Sequence, residues 1–438
     1  MKKVLFITYY FPPCGGISII RPLKLIKYLR SVGWEPVLVT PKDAHYPTID
    51  KGLINDFPQD IERIEVPIWE PYSLYKKFTA RPKDENVMNA LVVKDEKSKR
   101  WKDRLSVFIR SNFFIPDARK FWVKKAVNQL SEYLENNHVD AIFTEGPPHS
   151  VTLIGARLKE KFNIPWLSDY QDPWTQIDYY KELILTPWAD KYHHKLEKFC
   201  FDQADATVIV SKAWKKDLED IGAHNVHTIP WGFDPNDFSE IENIEANSSK
   251  FVITHLGLAG HDRVPNELME AVVELAKESE EFKEKFQLQF IGQIDKEILD
   301  CFEENKPLGV FKHIPQLSRN EALKHGKESS VLLLLLNKAD NASGRIPGKL
   351  FEYLALDRNI LLLGNKKGNS AEIVLETNMG TCFEYNEKEE TKKYLKEAFN
   401  TWTQERKLPL DRNEKYKNYT SEKLVGDFGR ILDEISQS

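Results

Sequence analysis

MKKVLFITYYFPPCGG, residues 1–16, opens with two lysines and an apolar run, Val4–Tyr9, that halts at Pro12, Pro13, Gly15 and Gly16. A membrane helix needs roughly 20 apolar residues, so a short run ended by such breakers reads as a buried strand and not as a leader. A glycine turn then leads into Leu23–Ser31, whose apolar residues recur at helical spacing. Strand, glycine turn and helix together form the unit that repeats in parallel α/β sheets.

Outward from this unit the alternation continues. Strands are predicted at Pro36–Thr40, Ala141–Thr144, Trp166–Ser168, Thr207–Val210 and His227–Ile229, with helices such as Val151–Lys161 and Trp214–Ile221 between them. The pattern restarts with Phe251–Leu256, Leu288–Ile291, Phe311–Ile314, Val331–Leu336, Ile360–Leu363 and Thr381–Phe383. Its helices include Glu267–Lys277, Glu321–Glu328, Lys349–Leu356, Ala371–Glu376 and Glu390–Thr403. At 438 residues the chain is too long for one ordinary core. The expected fold class is therefore α/β, with Rossmann-like parallel-sheet domains over 1–230 and 231–410 and a terminal segment over 411–438. Residues 231–250, rich in turn formers and acids and without periodicity, read as the linker. In the terminal segment Leu424, Phe428, Ile431, Leu432 and Ile435 share a helix face, which needs a surface to cover.

Composition narrows the function classes. The chain is 41% hydrophobic and 29% charged, with net charge −5, which speaks against disorder and against nucleic-acid binding. Cys14, Cys200, Cys301 and Cys382 are widely spaced, so neither disulfides nor a zinc site is expected and a cytoplasmic setting fits. Residues 94–125 carry eleven Lys/Arg against four Asp/Glu, with Trp101, Leu105, Phe108 and Ile109 at helical spacing. Two readings stay open for this segment: peripheral membrane or acceptor contact through 94–119 at the inner face of the membrane, or an apolar stripe packed on the first domain.

Ligands of open α/β sheets bind beyond the carboxyl ends of the strands. In YYFPPCGG, Gly15 and Gly16 allow either a close backbone approach to phosphate or a plain turn. The loop is not a dinucleotide fingerprint, so no nicotinamide or flavin cofactor is expected. In EGPPHS, Ser150 reads as an N-cap, while His149 suits substrate contact and structural hydrogen bonding equally. SDYQDPW puts Asp169 and Asp172 at a strand end, fit for sugar hydroxyls or a proton, although Asp172 before Pro173 also suits a turn. No third oxygen ligand accompanies them, and no metal site is expected. NASGRIPGKLFEYLAL, 341–356, opens a helix at Pro347 and Gly348. Its free N–H groups with Lys349 and Arg345 suit a diphosphate, and Glu352, on the same face as Lys349, suits a ribose.

The pieces YYFPPCGG, GPPHS, DYQDPW, IPWGFD and IPGKLFEYLA, in this order, resemble glycosyltransferase family 4 and its relatives of the GT-B fold, most closely enzymes of bacterial surface-polysaccharide assembly. The resemblance spans nearly the whole chain. It implies two Rossmann-like domains facing a cleft, donor nucleotide on the C-terminal one, acceptor on the N-terminal one, and a last helix crossing back to the first domain. It further implies a nucleoside-diphosphate sugar as co-substrate, a saccharide or lipid-linked acceptor, retention of configuration and no metal. Glu352 matches the second Glu of the family's Glu-x7-Glu pattern, the ribose ligand. Lys349 falls in the stretch facing the donor phosphates, Arg263 resembles the Arg set against the diphosphate, and Gly257 follows the first strand of the second domain. Asp172 matches a polar position near the transferred sugar. The expected catalytic set is thus His149, Asp172, Arg263 and Lys349. The donor set is Gly15, Gly16, Gly257, Arg263, Arg345, Gly348, Lys349 and Glu352, and Asp169 and Trp174 are expected at the acceptor. Two departures stand out: the first Glu of the pattern falls at Gly344, and Trp231 stands where Asn is common. A nucleotide-sugar 2-epimerase and a non-catalytic nucleotide-sugar-binding partner subunit remain alternative readings.

Overall fold

The computed structural model describes residues 1–437 apart from 47, 51, 71–100 and 339–341. The chain divides into two units, Met1–Pro230 with Ser421–Ser438, and Trp231–Thr420.

In the first unit the apolar run of the opening stretch becomes β1 (Lys2–Thr8). It is followed by β2 (Trp34–Lys42), β3 (Glu62–Pro67), β4 (Ala141–Glu145), β5 (Trp166–Asp169), β6 (Ala206–Ile209) and β7 (Val226–Thr228). All pair in parallel, in the order β3-β2-β1-β4-β5-β6-β7. Val4–Ile7 are fully buried because helices cover both faces of a parallel sheet, which is why the strand reads as a continuous apolar run. β3 escaped the sequence reading: it is an edge strand, ERIEVP, whose charged side chains face solvent and of which only Val66 is buried. The helices are α1 (Ile20–Tyr28), α2 (Trp101–Phe113), α3 (Lys120–Asn136), α4 (His149–Phe162), α5 (Pro187–Gln203) and α6 (Lys212–Asp220). Thr186 caps α5 by accepting from Ala189 N–H, and Ser211 caps α6 by accepting from Trp214 N–H.

The second unit contains β8 (Phe251–Leu256), β9 (Phe286–Ile291), β10 (Phe311–Ile314), β11 (Val331–Leu335), β12 (Asn359–Leu363) and β13 (Gly380–Phe383). They form a parallel sheet in the order β10-β9-β8-β11-β12-β13, with α7 (Asn266–Glu278), α8 (Glu280–Lys285), α9 (Lys296–Glu304), α10 (Arg319–Lys327), α11 (Gly348–Leu356), α12 (Asn369–Glu376) and α13 (Lys388–Glu405). Along β11 the leucines alternate between two cores. Leu333 and Leu335 face Phe251, Phe399 and Trp402, whereas Leu332 and Leu334 face Leu350, Phe351 and Leu354 of α11. In each sheet the strand order reverses beside its first strand, between β1 and β4 and between β8 and β11. These are the crevices where such sheets bind ligands.

Two boundaries read from composition need correction. Residues 231–250 are not a free linker: Phe233, Phe238 and Ile241 are buried in the second unit, and Asp234 caps a short turn of helix by accepting from Asn236 N–H. The second unit also runs to Thr420 and not to 410, because Tyr416 and Tyr419 pack on its core and Phe233 N–H donates to Tyr419 O. The terminal helix α14 (Ser421–Ser436) belongs to the first unit. Phe428 meets Phe143 of β4 with ring centroids 5.5 Å apart, and Arg21 lies over the Phe428 ring at 4.9 Å. Gly429 lets Val32 come so close that a Cβ would stand 2.9 Å from it. Leu424, Phe428, Ile431, Leu432 and Ile435 are all buried, each contributing about 1.5–3 kcal/mol by removal from water.

Of the basic segment, 94–100 lies outside the described residues, as does most of the chain leading to it; Trp101–Phe113 is α2, on which Leu105, Phe108 and Ile109 are half-buried. Among the described residues no helix is long and apolar enough to cross a membrane.

Candidate functional site

The reversal point of the second sheet gathers most of the residues expected at the donor. β8 ends at Leu256, and the chain turns at Gly257 with φ +90. Gly292, after β9, has φ +125, and a Cβ there would stand 2.8 Å from Gly257 O. Only glycine permits this conformation and this backbone approach. The two turns are stitched together: Gly257 N–H donates to Ile291 O (2.7 Å) and Ala259 N–H to Gln293 O (2.9 Å).

Over Gly257 lies Lys349. Its Cε and Nζ are each 3.1 Å from the place a Cβ on Gly257 would occupy, and Nζ donates to Leu258 O at 3.4 Å. Lys349 has no carboxylate partner within ion-pair distance among the described residues. Its pKa is lowered to about 8, by burial first and by repulsion from Arg263 next, with Glu352 opposing both. Lys349 sits in the first turn of α11, which starts at Gly348 behind Pro347 with no capping side chain, so first-turn N–H groups are left for a ligand. Arg263 is held by Asp262 (2.8 and 3.0 Å). Glu352 accepts from Arg319 Nε at 2.8 Å, an ion pair a ribose would have to share or displace. The Arg345 backbone carbonyl accepts from Ser370 Oγ (2.8 Å), tying the 345–348 segment to the start of α12. Gly344 is buried.

Beneath the turn, His255 went unnoticed in the sequence, although a histidine inside an apolar strand is a visible signal. Its Nδ1 is 3.0 Å from Leu333 O and its Nε2 is 3.3 Å from Leu258 O, the carbonyl that Lys349 also reaches. Burial, and after it the charge of Lys349, lower its pKa to about 3. The ring is therefore neutral and has one N–H for two carbonyls.

The first unit offers a different environment at its own reversal point. Glu145, at the end of β4, is fully enclosed; burial drives its pKa well above the carboxylate range. Its oxygens meet Thr8 Oγ1 (2.6 Å) and Gln171 Nε2, and Thr8 Oγ1 in turn reaches Tyr10 O at 3.3 Å. Thr8 Oγ1 and Gln171 Nε2 thus each donate to one oxygen of the Glu145 carboxyl. A lone acid at a strand's carboxyl end was the available signal for Glu145, and the sequence reading passed over it.

Several first-unit expectations are corrected. Asp169 is fully buried, with its two oxygens held by Arg21 at 2.7 and 3.0 Å, so it is a structural ion pair and does not reach an acceptor. Trp174 is buried too, donating Nε1–H to His193 Nδ1 (3.0 Å) and stacking on His149 at 4.9 Å; it supports His149 and presents no acceptor surface. Gly15 is buried and its N–H goes to Thr48 O (3.0 Å), which leaves no amide for phosphate, whereas Gly16, with φ +95, is exposed. His149 opens α4 with Nδ1 buried and unpartnered, and burial holds its pKa down at about 3. Asp172 is partly exposed on the same 170–176 loop. Among the described residues no group of three or more His, Cys, Asp or Glu is placed to hold a metal ion.

The sequence model of Glycosyltransferase Family 4 matches residues 90–237, a span that lies almost wholly in the first unit. Residues 90–237 are thus similar to Glycosyltransferase Family 4. Solved structures align with the chain over nearly its full length. A glycosyltransferase from Rickettsia africae matches at 13% identity and TM-score 0.57, covering 99% of this chain and 98% of that one. Sucrose-phosphate synthase from Thermosynechococcus elongatus matches at 13% and 0.54, covering 100% and 97%. An E. coli trehalose-6-phosphate structure bound with UDP-2-fluoro glucose matches at 11% and 0.55, covering 99% and 97%. At such identities the likeness speaks for the fold, which is GT-B with two Rossmann-like sheets. No curated protein sequence matches the chain.

Proposed function

We propose that the chain is a glycosyltransferase that moves a hexose-type sugar from a nucleoside diphosphate to a saccharide or lipid-linked acceptor in surface-polysaccharide assembly, with the donor held by the second unit and the acceptor by the first. The observation that carries the reading is Lys349, poised over Gly257 beside the open start of α11, at the sheet position where α/β folds bind phosphates. Its lowered pKa reflects a cation in partly desolvated surroundings beside Arg263, an environment a diphosphate would relieve. Glu352, released from or shared with Arg319, takes the ribose hydroxyls. Arg345 and Gly348 complete the phosphate end.

Charge developing on the departing diphosphate is met by Lys349, Arg263 and the α11 amides, which stabilise the transition state electrostatically. The reaction proceeds with retention and without a metal or other cofactor. His149, with a pKa of about 3, is a poor base near neutrality. It acts as a neutral hydrogen-bonding group for the acceptor or transferred sugar beside Asp172, and a phosphate oxygen of the leaving group takes the acceptor proton. Peripheral membrane contact through 94–119 is part of the proposal.

The E. coli neighbour's UDP-2-fluoro glucose makes uridine donors the first to try. A thermal-shift panel of UDP-, GDP- and dTDP-sugars tests the reading: a ligand at 100 times its Kd adds about 2.7 kcal/mol to the folded form. At least one donor should raise Tm, and the stabilisation at the same donor concentration should fall to about 1.4 kcal/mol or less in Lys349→Met. A flat response across the panel would refute the assignment.

A further inference from the structure

The exposed apolar side chains are not scattered. Half of the large hydrophobic side chains that are exposed among the described residues fall in one connected strip on the first unit: Trp69, Phe121, Phe113, Ile184, Trp188 and Tyr192. Contacts between neighbouring residues join them end to end. Trp69 meets Phe121 edge-on at 4.8 Å, at the start of α3. Lys120 lies over the Phe121 ring at 5.5 Å and donates its Nζ to Phe113 O (2.7 Å) at the end of α2. The preceding residue, Asn112, donates to Ile184 O (2.7 Å) and accepts from Thr186, the cap of α5. Trp188 and Tyr192, one turn apart on α5, stack at 5.5 Å and are exposed by 64% and 38%.

Aromatic rings held outward are costly in water unless a partner covers them. Here they are interleaved with exposed or half-exposed cations, Arg110, Lys120, Lys124, Lys181 and Lys191, none of which has an ion-pair partner among the described residues. Of the nearby acids, Asp190 is engaged by Tyr180 (2.9 Å) and His194 (3.6 Å), and Glu182 is exposed beside Lys181. The chain as a whole is acidic, with net charge −5, so this cationic aromatic strip is a local reversal. Trp and Tyr favour the headgroup level of a bilayer, and lysines beside them are drawn to anionic lipid.

We propose that this strip docks the first unit on an anionic bilayer, with Trp188, Tyr192, Phe113 and Phe121 as anchors. It extends the membrane contact from the basic segment to the ends of α2 and α3 and the first turns of α5. The strip adjoins the acceptor side of the proposed site, since α5 supplies His193 to Trp174 and Trp174 stacks on His149. Docking there favours a lipid-borne acceptor, a consequence that rests on the proposed transfer reaction; the docking itself does not.

Co-sedimentation of the full chain with phosphatidylglycerol-containing and pure phosphatidylcholine vesicles tests the docking without any sugar chemistry. The expected result is binding to the anionic vesicles that weakens with salt. It should fall about tenfold or more in Trp188→Ser/Tyr192→Ser and in Phe113→Ser/Phe121→Ser, and stay unchanged in Leu375→Ser, an exposed apolar residue of the second unit. Bromine-chain lipids should also quench tryptophan fluorescence in the wild type and less in Trp188→Phe, which keeps the surface apolar. No binding to anionic vesicles, equal binding by all variants, or equal loss in Leu375→Ser would overturn the proposal. So would a self-associated species, seen by analytical ultracentrifugation, that the strip substitutions dissociate while vesicles stay unbound. Vesicle binding with transfer only to soluble saccharides would retain the docking and reject the lipid-borne acceptor.

Discussion

Replacing Lys349 with methionine keeps the side chain's length and removes its charge from above Gly257. If Lys349 Nζ contacts the donor diphosphate, the lost charge-assisted contact is worth about 1.5–3 kcal/mol, an affinity loss of roughly 10- to 150-fold. The pH dependence gives an independent handle. Burial first, and Arg263 next, lower the Lys349 pKa to about 8, and the diphosphate selects the ammonium form. Wild-type affinity should therefore be flat below that value and decline above it, by about tenfold for each unit once Lys349 is mostly neutral, or about 1.4 kcal/mol. Lys349→Met should bind weakly and lack this step. Isothermal titration of a nucleoside diphosphate into both proteins across pH 7 to about 9.5 reads both effects. A variant with wild-type affinity and the wild-type pH profile would show that Lys349 does not face the donor.

Glu352→Ala should weaken a nucleoside diphosphate by several-fold yet leave inorganic pyrophosphate unaffected, since the carboxylate addresses the ribose; calorimetry with both ligands distinguishes this from a general loss. Phe428→Ala, at a fully buried contact with Phe143, should destabilise the first unit by about 3–5 kcal/mol in urea denaturation, and a change below about 1 kcal/mol would mean that α14 is not seated as described. Glu145→Gln copies the neutral acid. Because the folded pKa of Glu145 lies above its unfolded value of about 4.3, folding takes up a proton and wild-type stability falls as pH climbs between the two values. The glutamine variant should gain on wild type by up to about 1.4 kcal/mol per pH unit in that window, and a pH-independent difference between the two in urea midpoints would show Glu145 to be ionised.

The two sheets were legible because parallel strands buried on both faces are written as unbroken apolar runs, as in Val4–Ile7 and Val331–Leu335. β3 was not, because ERIEVP at a sheet edge needs only Val66 to be apolar. Residues 231–250 read as linker because three well-placed apolar side chains, Phe233, Phe238 and Ile241, anchor an otherwise polar stretch without any period. The start of α11 was legible in GRIPGK because Pro347 and Gly348 together mark the opening of a helix. Asp169 was misread for a three-dimensional reason: its partner Arg21 lies 148 residues away, and nothing local marks that carboxylate as already paired. Glu145 and His255 went unmarked because each is a single ionisable residue at or in a largely apolar strand, and only the fold shows Thr8, Gln171, Leu333 and Leu258 closing around them.

The central claim is sugar transfer from a nucleoside diphosphate, and acceptor-dependent release of that nucleotide tests it most directly. The full chain would be incubated with the donor that gives the largest thermal shift, with and without a lipid or saccharide acceptor extract, and nucleotide and sugar products followed by mass spectrometry. Nucleoside diphosphate should appear in step with an acceptor heavier by one hexose-type residue, and both should fall together in Lys349→Met. Isomerised donor without acceptor, or donor binding with no transfer to any acceptor, would contradict it.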